Sequence, residues 1–101
     1  MNITYKTFKT VFMKEITRFI EDIIKDSILP KSTTVIIKGS AEKREEERLI
    51  LECIIYGQTV STSTDMKYLY FLYKERDLSI IDIVSHILEE FRDELKAISP
   101  K

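Results

Sequence analysis

Two residue types suited to nucleophilic or proton-transfer chemistry near neutral pH occur once each, Cys53 and His86. His86 has Asp82 four residues before it and Glu90 four residues after it. On a helix that spacing sets both carboxylates beside the imidazole. Such a set can ligate a metal or tune a proton-transfer group. The plainer reading is an exposed histidine with two favourable neighbours on a solvated helix face, and we adopt it. A Cys53–His86 pair would need a depressed thiol pKa, and Cys53 falls on the inward face of a strand with no feature to lower it. One cysteine also excludes an intramolecular disulfide and a cysteine-cluster metal site. Gly39 and Gly57 stand alone, so no glycine-rich phosphate loop exists. No catalytic, metal or cofactor residues are expected, and we read the chain as non-enzymatic.

The residue set best suited to function is a binding one. Tyr68, Tyr70, Phe71 and Tyr73 sit among Lys67, Lys74 and Arg76. A helix cannot bury six consecutive apolar or aromatic residues on one side. If Met66, Leu69, Leu72 and Tyr73 face a core, Tyr68 and Phe71 point elsewhere. Exposed aromatics beside basic residues suit a protein interface, where Tyr and Arg are favoured anchors. The alternatives are burial on both sides of a short helix, or stacking on bases. A second candidate surface is Lys43, Arg44 and Arg48 in the charged run Ala41–Arg48. The bland reading of that run is a solvated hairpin connection. Glu89, Glu90, Asp93 and Glu94 lie towards the C-terminal half of the last helix, where the helix dipole disfavours acids. That local conflict points weakly to a cationic partner.

Composition bounds these readings. The 101 residues make one domain, and 44% hydrophobic with 33% charged residues suits a compact fold rather than a disordered tail. A net charge of -1 supplies no bulk basic footprint, so direct nucleic-acid binding is not expected. No apolar run approaches the roughly 18–20 residues needed to span a bilayer. A lone cysteine fits a reducing compartment, and we expect a cytoplasmic protein without a membrane partner.

The elements that must position these residues follow from periodicity. Thr4 caps a helix over about Tyr5–Asp26, with Tyr5, Phe8, Phe12, Ile16, Phe19, Ile20, Ile23 and Ile24 on its apolar stripe. Leu29-Pro30 stops it. Ser32–Lys38 reads as a strand, Leu49–Tyr56 as the strongest strand and Thr59–Thr64 as a third. Leu49, Leu51, Cys53 and Ile55 alternate onto the inward face, opposite Glu52. Asp65 caps Met66–Glu75, which we read as a short helix although its aromatics also suit a strand. Ser79 caps a long amphipathic helix within Leu78–Ile98. The expectation is an α+β fold: helix, three-stranded antiparallel sheet, short helix, long helix, with the helices on one sheet face.

One family shares parts of this pattern. The opening Tyr5-Lys6-Thr7-Phe8-Lys9 helix, Thr59-Val60 at the third strand, the Tyr68–Tyr73 aromatics and Leu78-Ser79-Ile80-Ile81-Asp82-Ile83-Val84 carry the likeness. On these residues the chain resembles the N-terminal region of the DUF5688 proteins of low-GC Gram-positive bacteria. The charged Gly39–Arg48 run stands where that family has an Asn-Asn-Gly-type hairpin. The resemblance brings no activity and no site residues. A short Lys/Glu/Ile-rich chain of this kind is also similar to small phage- and plasmid-borne inhibitors of host defence, including anti-CRISPR proteins. By that analogy we expect a protein-binding inhibitor whose partner is another protein, such as a Cas effector or its RNA complex. A homodimeric regulator sealing its own aromatic surface is the alternative, and a small metal protein or enzyme centred on His86 is the least favoured.

Overall fold

A computed structural model describes residues 3–26, 29–39 and 47–98. Its element order is α1 (Tyr5–Lys25), β1 (Thr34–Lys38), β2 (Arg48–Ile55), β3 (Gln58–Asp65), α2 (Met66–Glu75) and α3 (Ile80–Lys96). This is the expected α+β arrangement, and the Met66–Glu75 segment is a helix. Its cap decides that outcome locally: the Asp65 side chain accepts from Lys67 N–H and satisfies one of the first-turn donors.

The three strands form an antiparallel sheet in the order β1-β2-β3. Leu49, Leu51 and Cys53 of β2 are buried, whereas Arg48, Glu52 and Ile54 on the opposite face are exposed. The helices therefore cover one sheet face. α1 and α3 pack against each other. Phe8, Phe12, Ile16 and Ile20 of α1 share a single core with Ile83, Val84, Ile87, Leu88, Phe91 and Leu95 of α3. Thr4 Oγ1 accepts from Thr7 N–H at 3.2 Å, and Ser79 Oγ accepts from Asp82 N–H at 3.1 Å, so both long helices start where their caps predict.

The boundaries differ from expectation in instructive ways. β1 begins at Thr34 rather than Ser32. The Ser32 hydroxyl instead accepts from Ile54 N–H at 2.8 Å and donates to Ile54 O at 3.2 Å, standing in for the ladder's backbone groups. Tyr56 does not belong to β2. It has φ 52° and Gly57 has φ 74°, which makes Tyr56-Gly57 a two-residue turn with both central residues left-handed. Ile55 then pairs with Gln58, and β3 gains a residue at each end relative to Thr59–Thr64. Of the sequence candidates, Lys43 and Arg44 lie outside the described residues.

Candidate functional site: the groove between the second and third helices

α2 and α3 are joined by a tight connection. Arg76 N–H and Leu78 N–H both donate to Leu72 O, at 3.1 and 3.3 Å, and Asp77 takes φ 56° between them. A groove of about 430 Å³ lies between the two helices. Leu69, Leu72, Ile83 and Ile87 line it with apolar surface, and Tyr68, Leu78, Asp82, His86 and Glu90 complete its walls together with Thr64 of β3. Leu69 and Ile83 are fully packed, whereas Tyr68 keeps 54% and Leu78 keeps 39% of its surface exposed. The result is an apolar trough with a half-open aromatic wall and an acidic rim.

The rim comes from helix geometry. Asp82, His86 and Glu90 recur every four residues and so line one stripe of α3. His86 Nε2 lies 3.0 Å from Glu90 Oε1, and both side chains are about two-thirds exposed. At that exposure the pair adds little to stability. It sets the imidazole beside Glu90 on the wall of the groove. Among the described residues, no three His, Cys, Asp or Glu side chains converge to hold a metal ion. Cys53 is buried beneath the sheet, and burial, reinforced by the Glu52 charge, raises its thiol pKa. The thiol form dominates there, which leaves Cys53 a small core residue.

The predicted aromatic-basic set is divided by α2. Tyr68 and Phe71 stack with ring centroids 6.5 Å apart on the outer side, and both are exposed. Tyr70 lies on the other side of α2. It turns inward, with its ring 5.5 Å from Tyr5 edge-on and 5.3 Å from Phe8, and its hydroxyl donates to Ile3 O at 2.7 Å. Two residues along a helix rotate the side chain by roughly 200°, so Tyr68 and Tyr70 cannot share a face. Lys74 follows Tyr70, with its ammonium 5.9 Å from that ring centroid. Lys67 and Arg76 are exposed at the two ends of α2. Arg48 is not with any of these. It opens β2 on the uncovered sheet face, where its guanidinium donates to the Ser63 hydroxyl and, at 3.2 Å, to Ser63 O.

Two features escape the sequence patterns. Asp82, His86 and Glu90 read as solvated surface until α2 is placed opposite them. Glu47, at the end of the charged run, accepts from Tyr5 Oη at 3.1 Å and from Lys9 Nζ at 2.8 Å. The Lys9 hydrogen bond, aided by Tyr5 and by the charges of Lys9 and Lys67, outweighs burial and lowers the Glu47 pKa. Burial, followed by the Glu47 charge and hydrogen bond, raises that of Tyr5. Neither contact has a local signature, since they span 42 and 38 residues of sequence.

No helix among the described residues is long and apolar enough to cross a membrane. Comparison with known proteins finds no matching family model, no matching curated protein and no matching solved structure.

Proposed function

We propose that this chain is a non-enzymatic protein-binding domain that engages its partner through the α2–α3 groove. The observation that carries this reading is the groove itself: about 430 Å³ of mostly apolar trough, walled by half-exposed Tyr68 and Leu78 and rimmed by Asp82 and Glu90. A half-exposed tyrosine beside an apolar pocket is the kind of anchor on which interface energy concentrates. The apolar floor suits an aliphatic or aromatic side chain of the partner. The carboxylates suit a neighbouring Lys or Arg, which would fix its orientation and exclude acidic competitors.

The finer reading is inhibition of a bacterial defence complex, with a Cas effector as the partner and the cytoplasm as the place of action. It rests on the likeness to small mobile-element inhibitors and on the single reduced cysteine. Affinity capture from cells expressing a Cas effector with its guide tests it. The wild-type chain is expected to retain the effector, and a Leu78→Glu, Glu90→Lys variant with unchanged helical content is expected to release it. Equal recovery by the two would refute the groove as the contact. Capture of other proteins alone would refute the Cas assignment and leave the groove standing. Light scattering separates the homodimer alternative, in which the free chain is dimeric and Leu78→Glu makes it monomeric.

A further inference from the structure

The geometry points to the free edge of β3 as a strand-addition site for an extended basic segment of a partner protein. The hydrogen bond from Met66 N–H to Glu47 O, 3.0 Å long, sets the phase of the β2–β3 ladder. Antiparallel pairs alternate between those that exchange hydrogen bonds and those that do not. With Arg48 opposite Asp65, the even-numbered residues of β3 turn their backbone groups to β2. Thr59, Ser61 and Ser63 therefore turn theirs away from the sheet, and β3 pairs with no second strand among the described residues.

Edge strands ordinarily carry protection: a proline, an inward charge, a bulge or very short length. β1 is only five residues long and ends at Lys38. β3 is eight residues long, and from Gln58 to Thr64 it holds no charge, no proline and no glycine. Among the described residues its guard is Arg48, whose side chain occupies the Ser63 carbonyl. Arg48 is exposed, and Ser63 O is the outward carbonyl of β3 that it holds, so the Thr59 and Ser61 backbone groups face no strand among the described residues.

Charge selects the occupant. On the helix side of the sheet, Glu90 and Glu94 of α3 flank Thr62 and Thr64 around a cleft of about 110 Å³. A second copy pairing β3 to β3 would set these carboxylates against their own counterparts, and like charges in such positions repel. A partner strand with Lys or Arg at alternate positions would place those side chains over the same acids. Its backbone would complete the ladder, the mode in which main-chain bonds give affinity and alternate side chains give specificity. The acids on the C-terminal half of α3, unfavourable to the helix dipole, then have a use. The edge adjoins the α2–α3 groove at Thr64 and Glu90.

A synthetic peptide alternating Lys with Thr and Val, and its Glu counterpart, test the site by amide NMR and hydrogen exchange. The Lys peptide is expected to bind and to protect the Thr59, Ser61 and Ser63 amides, while the Glu peptide does not. Ser61→Pro removes an outward N–H without costing a β2–β3 bond, so the variant should fold normally and lose the peptide. Glu90→Gln with Glu94→Gln should weaken binding about fivefold, on the scale of exposed ion pairs. Failure of the Lys peptide to bind at millimolar concentration would overturn the proposal. So would equal binding of the Glu peptide, protection confined to residues away from β3, or full affinity in a folded Ser61→Pro chain.

Discussion

The two sides of α2 use the same residue types for opposite ends. Tyr70 and Tyr73 turn towards α1, where Tyr70 meets Tyr5 and Phe8 and Tyr73 meets Phe8. Tyr68 and Phe71 turn outward and touch each other above the groove that α3 completes. Both pairs are large and predominantly apolar, so burial alone would favour either inside. What separates them is that a ten-residue helix has one partner surface large enough to enclose rings, the α1 face, and it is already floored by Phe8 and Phe12. The other side faces α3 and the end of β3 across the open groove. Aromatic chemistry on a small domain thus reports function only once the side is known. The basic residues nearby are no guide, since Lys74 sits over the inward Tyr70.

This contrast can be broken by mutation. Phe8→Ala removes the ring against which Tyr70 and Tyr73 pack and should cost about 3–5 kcal/mol in chemical denaturation. A loss under about 1 kcal/mol would mean that the α1–α2 contact is not core. Tyr70→Phe keeps the ring and deletes the bond to Ile3 O, and should cost about 1 kcal/mol. A smaller change is expected from acid. Because the Glu47 pKa is lowered in the folded chain, its contribution is complete above the ordinary glutamate value of about 4.3 and is lost as pH falls through the lower folded value. Glu47→Gln should therefore flatten the acid limb of the stability profile while leaving its shape near neutrality unchanged. Tyr68→Ala should change stability least, within about 0.5 kcal/mol, as expected of an exposed position.

Much of the fold is legible in the sequence because its signals are local. The four-residue recurrence of Phe8, Phe12, Ile16 and Ile20, the alternation of Leu49, Leu51 and Cys53, and the capping residues Thr4, Asp65 and Ser79 each depend on near neighbours. The Tyr56 turn is less legible, because a tyrosine at φ 52° is held there by the register of the flanking strands and not by its own preference. The candidate site is legible only in part. That Tyr68 and Tyr70 lie on opposite sides of α2 follows from helix geometry. Which side is covered depends on where α1 runs, and that is a tertiary fact. Likewise, Asp82, His86 and Glu90 form a polar stripe in any projection, but they border a groove only because the Asp77 corner brings α2 alongside. Arg48 belongs to the sheet for a similar reason: its pairing with Asp65 of β3 and Lys38 of β1 is a tertiary fact.

The central claim is that α2 keeps one aromatic side for the fold and presents the other to a partner. Partner capture by Tyr68→Ala, measured beside its melting temperature, tests that claim most directly. The account predicts an unchanged melting temperature and at least a tenfold loss of captured partner, the scale of a buried interface anchor. Undiminished capture, or a melting temperature lowered as far as that of Phe8→Ala, would contradict it.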